Sequence, residues 1–343
     1  MNILITGMNT NQCTEDFYLR QQLKVVPSHY SLLRCLRDMG HQVEQRAVEI
    51  GEDLAKYDEV FVYIHNPSGF AGYVYNALYA ISQRPNCILL MDDWQTDSIY
   101  EGLLALEEGD HKLFRPYVVD SQTKLPDNFM QYADCYRDAL AIIRGKTNRM
   151  LLSAFAYGDL TKLISYPTDK LYSYNPNPYH LNRQADAAVL PQDKRREMSF
   201  ASLVQGKTKK WLKAQKVPAD FEIKFYGSRK DGQDRLTEDQ MVNTYAQQWV
   251  ALMPGYFHTG SGWWRARPLQ CADAGTIVIG DYDEMMNLYG NEALARLKAS
   301  DLEGRDHIEL ASIAKAQRDA LYQKHPLDKQ VQQDELNKVL NAK

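Results

Sequence analysis

Three short segments of this 343-residue chain hold the side chains best suited to chemistry, and each lies beside a run that reads as a buried strand. Asp92-Asp93-Trp94-Gln95-Thr96-Asp97 follows Cys87–Met91. Gln205-Gly206-Lys207-Thr208-Lys209-Lys210 follows Met198–Val204. Trp264-Arg265-Ala266-Arg267-Pro268-Leu269-Gln270 leads through Gly275 into Thr276–Ile279. A carboxylate at a strand's end can face a cleft and take a proton from a hydroxyl. An ordinary aspartate, with a pKa of about 3.9, is ionised near pH 7 and so available as a base. The same acids can instead cap the next helix or hold a divalent ion, so three uses are open to Asp93. A glycine turn, a lysine cluster and a helix start together form a cradle for a pyrophosphate, which makes Gly206 and Lys207 candidates. The competing use is a solvated basic helix start. Arg265 and Arg267, in a charged loop beside a parallel-type strand, sit where a phosphorylated ligand is commonly held. They serve equally as two surface arginines of an ordinary α/β unit.

The elements that must position these residues alternate between strand and helix. Ile3-Leu4-Ile5 is a buried first strand. Ser28 caps a helix whose Leu32, Leu33, Leu36 and Met39 recur at helical spacing and which Gly40 closes. His41–Val48 alternates as a second strand, and Val60–His65 is a third. Asn66-Pro67-Ser68-Gly69-Phe70-Ala71-Gly72 then forms a glycine-rich turn at the carboxyl edge of the sheet, the ligand-binding edge of open α/β folds. It matches no phosphate-binding fingerprint. A helix over 129–144 and a strand over 150–155 complete the first half. Prolines 167, 176 and 178 mark a linker. Strands over 198–204, 221–227, 249–255 and 276–279 build a second sheet, with Gly275 placed where a helix must stop. This alternation argues parallel sheets covered by helices.

Composition sets the class. The chain is 44% hydrophobic and 24% charged, normal for a globular protein of about two domains. Its net charge of −4 is not the footprint of a protein that grips nucleic acid by overall charge. Five scattered cysteines, with no Cys-x-x-Cys among them, read as free thiols in a reducing cytoplasm and not as a zinc site. The start reads as a strand and not as an export signal, and no apolar run approaches the ~20 residues of a membrane span, so a cytoplasmic protein is expected.

The pattern Arg-Pro-Leu-Gln-x-x-x-x-Gly-Thr-x-Val-Ile, from Arg267 to Ile279, resembles the donor-nucleotide segment of GT-B-type glycosyltransferases. The first hundred residues resemble the phage DNA glycosyltransferases of that type. Val26-Pro27-Ser28, Asp38-Met39-Gly40, Tyr57-Asp58, Gly69-Phe70-Ala71-Gly72 with Asn76, and the strand ending in Asp93 carry that likeness in order. The resemblance implies an α/β fold of two Rossmann-like domains whose parallel sheets face a central cleft. It implies an acceptor domain over 1–170, a nucleotide-sugar domain over 171–315, and a C-terminal segment, 316–343, packing back on the first domain. Asp93 would be the general base. Arg267, Arg265, Gly206 and Lys207 would meet the donor, with Gln270 where the family has a glutamate on the donor ribose. Ser28 and Tyr30 would lie on the donor sugar; Tyr30 replaces an acidic residue, which points away from a simple glucose site and toward a pentose. Gly69, Phe70, Gly72 and Trp94 would face the acceptor. The expected substrates are a UDP-sugar, glucose or arabinose, and a hydroxylated or hydroxymethylated cytosine in duplex DNA, with Mg2+ or Mn2+ as a candidate helper. A monomer free of membrane is expected. A glycosyltransferase acting on a small molecule or glycan is the main rival, and a non-catalytic binding protein of the same fold the second.

Overall fold

The computed structural model describes residues 1–7, 28–64, 71–91, 133–152, 164–174, 189–200, 206–226, 236, 238–254, 267–326 and 328–342. They form two compact units. One unit takes the first strand, Pro27–Tyr179 and the end of the chain from Asp328; the other takes His180–Leu327.

The first unit is built on a six-stranded sheet. In chain order its elements are β1 (Asn2–Thr6), α1 (Ser28–Asp38), β2 (Gln42–Gln45), β3 (Glu59–Tyr63), α2 (Ala71–Gln83), β4 (Ile88–Met91), α3 (Ala133–Arg144), β5 (Met150–Leu152) and β6 (Leu171–Ser173). The strand order is β2-β1-β3-β4-β5-β6, and every neighbouring pair is parallel. Parallel strands are joined by crossovers that lay helices on the sheet faces, so the central strands are covered on both sides and read as unbroken apolar runs. Ile3, Leu4, Ile5, Val60, Phe61, Val62 and Ile88–Met91 accordingly have no accessible surface. Gly7 ends β1 with φ +85°, and a Cβ there would lie 2.3 Å from the carbonyl oxygen of Tyr63. Only glycine lets the chain leave β1 this close to the end of β3.

β6 falls in the stretch read from sequence as linker. It has three half-exposed residues on the edge of the sheet, too short and too polar at its flanks to show a strand period. The first unit therefore runs a strand further than the expected boundary at residue 170. The C-terminal segment also divides differently: α9 (His307–Lys324) stays in the second unit, and a separate α10 (Lys329–Asn341) belongs to the first. Leu336 and Val339 of α10 are fully buried. Arg149, at the entry to β5, fixes this helix. It donates to the Val339 carbonyl at 2.9 Å and to the Glu59 carboxylate at 2.7 Å.

The second unit holds β7 (Arg195–Phe200), α4 (Gly206–Ala214), β8 (Glu222–Phe225), α5 (Glu238–Gln247), β9 (Gln248–Met253), α6 (Arg267–Asp273), β10 (Ile277–Gly280), α7 (Tyr282–Tyr289), α8 (Glu292–Ala295) and α9. The sheet order is β10-β9-β7-β8, again all parallel. Met198, Phe200, Trp249, Val250, Leu252, Ile277 and Ile279 pack with Leu302, Leu310 and Ala314 as its core. β10 is an edge strand whose outward backbone groups would be left without partners. Gln317 of α9 closes that edge. Its Oε1 accepts from the Val278 N–H and its Nε2 donates to the Val278 carbonyl, both at 2.8 Å.

Two predictions follow from this packing. Gln317→Leu orphans both buried backbone groups of Val278, and equilibrium unfolding should register a loss of about 2–4 kcal/mol. His325, buried at the end of α9, is pulled down to about 4 by desolvation, against a hydrogen bond to the Asn287 carbonyl that raises it. Between pH 6.5 and 4 the unfolded chain binds the proton that the folded one refuses, so stability falls as pH falls through that window. The loss should reach about 2 kcal/mol at pH 5. Urea midpoints taken from pH 7 to pH 5 should fall for the native chain and lie flatter for His325→Gln.

Candidate active site at the carboxyl edge of the second sheet

The β9–α6–β10 crossover is the best-defined part of the candidate site. β9 and β10 are buried almost throughout, which fixes both ends of the connection. α6 starts at Arg267, with Pro268 in its first turn, where a missing N–H costs nothing. Pro268 to Ala272 are all buried, so the helix is enclosed rather than lying on the surface. It stops at Gly275, φ +63°, where the N–H of Gly275 reaches the Ala272 carbonyl and the N–H of Thr276 that of Cys271. This left-handed turn needs glycine, as the sequence indicates.

Lys194 holds the carboxyl end of α6. From just before β7 its ammonium donates to the carbonyls of Ala274 at 2.7 Å and Gly275 at 2.9 Å, with the Thr276 hydroxyl at 3.3 Å and the Gln248 carbonyl at 3.4 Å. It also lies 5.3 Å from the Trp249 ring centroid. A cation on the carbonyls just past a helix satisfies acceptors that the turn leaves open and opposes the negative end of the dipole. Burial pulls this lysine down to about 8. The Tyr322 hydroxyl of α9 hydrogen-bonds the Asp273 carboxylate and ties the same helix from another side. Lys194 and Tyr322 are invisible to sequence reasoning because their partners lie 49 to 82 residues away. Cys271 is fully buried, and desolvation holds its thiol protonated and inert.

The other end of α6 carries two of the residues singled out in the sequence. Arg267 is half-buried at the helix start. Gln270 lies one turn further on, on the same face, at 1% exposure. Among the described residues neither its Oε1 nor its Nε2 has a hydrogen-bond partner. A buried carboxamide left open costs of order 1–3 kcal/mol for each unpaired group, and such groups in a well-packed fold call for a reason. A carboxamide offers one acceptor and one donor side by side. A vicinal diol, which can donate with one hydroxyl and accept with the other, is its complement.

The remaining candidates are placed by topology. Gly206 opens α4, exposed, with φ +47° and open space where a Cβ would lie. The helix begins there, so the lysines that follow Gly206 lie within its first turns. α4 and α6 follow β7 and β9, which are adjacent and parallel. Gly206 and Arg267 therefore start from one edge of one sheet. Ser28 and Tyr30 lie in the first turn of α1, and Gly72 in that of α2. These helices follow β1 and β3, adjacent parallel strands of the first sheet. The side chains of Ser28, Tyr30 and Lys207 lie outside the described residues, as do Gly69, Phe70, Asp93, Trp94 and Arg265 altogether. Asp93 follows the end of β4 by two residues in sequence. Among the described residues no group of three or more His, Cys, Asp or Glu is arranged to hold a metal ion. No helix among them is long and apolar enough to cross a membrane.

No family model and no curated protein matches the sequence. Solved structures do match, over the whole chain. A structure of T4 phage beta-glucosyltransferase superposes with a TM-score of 0.57 at 11% identity, covering 99% of this chain and 100% of that one. The same phage enzyme in complex with UDP-glucose gives 0.58 at 12% identity, over 99% and 100% of the two chains. Its complex with UDP and Mn2+ gives 0.54 at 14% over the same shares. The chain has the fold of this phage glucosyltransferase. The two parallel-sheet units expected of a GT-B-type protein are thereby borne out. Identities this low speak to the fold and to nothing finer.

The open carboxamide of Gln270 yields a direct test. Leu has similar bulk and no polar atoms, so Gln270→Leu should leave the thermal midpoint unchanged or raise it by a few degrees, whereas core glutamines with satisfied amides destabilise on the same change. A clear drop in midpoint would mean that the amide is satisfied in the free protein.

Proposed function

We propose that the protein is a glycosyltransferase that moves a sugar from a UDP-sugar to the hydroxyl of a modified cytosine in duplex DNA. The observation that carries this is the pairing on α6 of a cation, Arg267, with the buried, unpartnered carboxamide of Gln270. This is a phosphate contact beside a diol contact, at the ligand-binding edge of a glycosyltransferase fold. Whole-chain likeness to a structure that holds UDP-glucose supports the donor class.

In this reading Gln270 takes the ribose diol, and Arg267, Arg265 and Lys207 take the diphosphate with the turn at Gly206. Asp93, after β4, removes the proton from the acceptor hydroxyl. The hydroxyl oxygen attacks the anomeric carbon as the bond from that carbon to the diphosphate oxygen breaks, and the configuration inverts. The leaving diphosphate gains negative charge in that step. Fixed cations stabilise it more than they stabilise the bound donor, and one such contact contributes about 3–4 kcal/mol. Ser28 and Tyr30 sit on the sugar. Gly69, Phe70, Gly72 and Trp94 receive the base, which must leave the stack at a cost of a few kcal/mol.

The test is a transfer assay read by mass spectrometry. UDP-glucose and UDP-arabinose are offered separately to duplex DNA bearing hydroxymethylated, hydroxylated or plain cytosine. A gain of one sugar on modified DNA alone is expected. Donor hydrolysis without transfer to any DNA would move the acceptor to a small molecule or glycan, which the net charge of −4 favours. No turnover of either donor would overturn the enzyme. Asp93→Asn should cut turnover at least ~100-fold and leave UDP affinity within about twofold. Arg267→Ala should weaken UDP binding about tenfold or more.

A further inference from the structure

We infer that the exposed lysine face of α4, made of Lys209, Lys210, Lys213 and the following Lys216, is a docking surface for the phosphate backbone of duplex DNA. This rests on the nucleic-acid acceptor proposed above and gives the second unit a part in holding it.

The chain is acidic overall, yet between Glu197 and Asp220 it contains five lysines and no acidic residue. Four of them, Lys209, Lys210, Lys213 and Lys216, are exposed, and none pairs with a carboxylate among the described residues. The acids that bound the segment are engaged elsewhere. Asp220 is paired with Arg196, and Glu197 lies 3.3 Å from Arg195. Elsewhere on the surface, lysines are commonly neutralised one turn away, as Lys315 is by Asp319 and Lys338 by Glu335. On α4 the charge is left standing.

The backbone adds a second observation. Lys216 takes φ +48°, in the left-handed region where helices usually end on glycine. A lysine there is held against a conformational preference, and it extends the row past the last turn. From Lys209 to Lys216 the row spans about 10 Å, the axial rise of about three phosphates on one strand. A neighbouring cleft of about 380 Å3, lined by Trp211 of α4 and by Gln215, holds both cations, Arg296 and Lys298, and carboxylates, Asp281 and Asp301, so the unbroken positive charge is confined to the α4 row.

The character of the face selects the partner. Trp211 and Leu212 pack against the core of the second unit, so the outer surface of α4 offers lysines and Ala214 with no apolar centre. A membrane-binding helix needs an apolar face to bury, and a protein interface needs an aromatic or aliphatic core. A row of flexible, unpaired ammonium groups is what binding by counterion release requires.

The experiment compares the native chain with Lys209→Gln/Lys210→Gln/Lys213→Gln/Lys216→Gln. All four side chains are exposed, so folding should hold, and an unchanged thermal midpoint together with UDP affinity by calorimetry confirms it. Binding to a labelled duplex of about 20 base pairs is read by anisotropy across a salt series. At about 100 mM salt the variant should bind about 10–100-fold more weakly, and its plot of log affinity against log salt should be shallower by about 2–4. Equal duplex affinity and slope in the two proteins, with the native chain binding DNA, would overturn this surface and leave the DNA acceptor standing. Native protein that binds UDP but no duplex would overturn both. Lysine-dependent binding to anionic vesicles with none to duplex would assign the face to a membrane and overturn the inference.

Discussion

A helix of seven residues cannot hold itself in water. Nucleating a helical turn is unfavourable, and isolated helices much shorter than about 12 residues do not persist. α6 is such a helix, and the proposed donor contacts sit on it. Its position is imposed from outside. β9 and β10 clamp its two connections, Gly275 sets its stop, Lys194 binds the Ala274 and Gly275 carbonyls just past its end and Tyr322 holds Asp273. Arg267 and Gln270 inherit their placement from these contacts. An arginine on a longer surface helix would be free to fray or slide. Here the cation and the carboxamide are set before any ligand arrives, which reduces the ordering cost of binding.

That arrangement has an energetic consequence within the second unit. The buried Gln317 is satisfied; it completes both groups of Val278 and stabilises the edge of the sheet. Gln270, equally buried, has no partner for its carboxamide among the described residues, a state it shares with Gln248 of β9. The two residues have the same side chain and similar burial but differ in what faces them. The first contributes to folding; the second works against it, by an amount comparable to a sizeable share of the stability of an ordinary domain. Such a cost persists in a fold when a bound partner offsets it, and the carboxamide's paired donor and acceptor limit what that partner can be.

Legibility from sequence follows the same division. The central strands were readable because parallel sheets bury both faces, so Val60–Tyr63, Ile88–Met91 and Ile277–Ile279 carry apolar runs that little else explains. Gly275 was readable because one residue type meets a left-handed turn. β6 was not, since an edge strand of three residues leaves no period. Of the proposed donor contacts, Arg267 was singled out by its place in a charged loop beside a strand, and Gln270 only by likeness to a donor segment. Lys194 was out of reach: a lysine in a polar turn becomes a helix cap only once β7 and β9 pair and bring residues some 80 positions apart together.

The placement of chemistry at strand ends follows from the same burial. In both units the sheet is all-parallel, and the buried stretches of its central strands carry no charged side chain. Polar function is pushed to where each strand stops and the chain turns into a helix. At that edge backbone N–H groups of helix starts are unpaired, and the dipoles of successive crossover helices point the same way. A parallel sheet thus presents one edge that favours anions, whatever its side chains. Arg267 and Gly206 stand at that edge in the second unit, and lysines continue from it along α4. The first sheet offers the matching edge after β1, β3 and β4, and Asp93 follows the last of these in sequence. The role proposed for Asp93 needs a carboxylate, the form in which an aspartate accepts a proton from a hydroxyl.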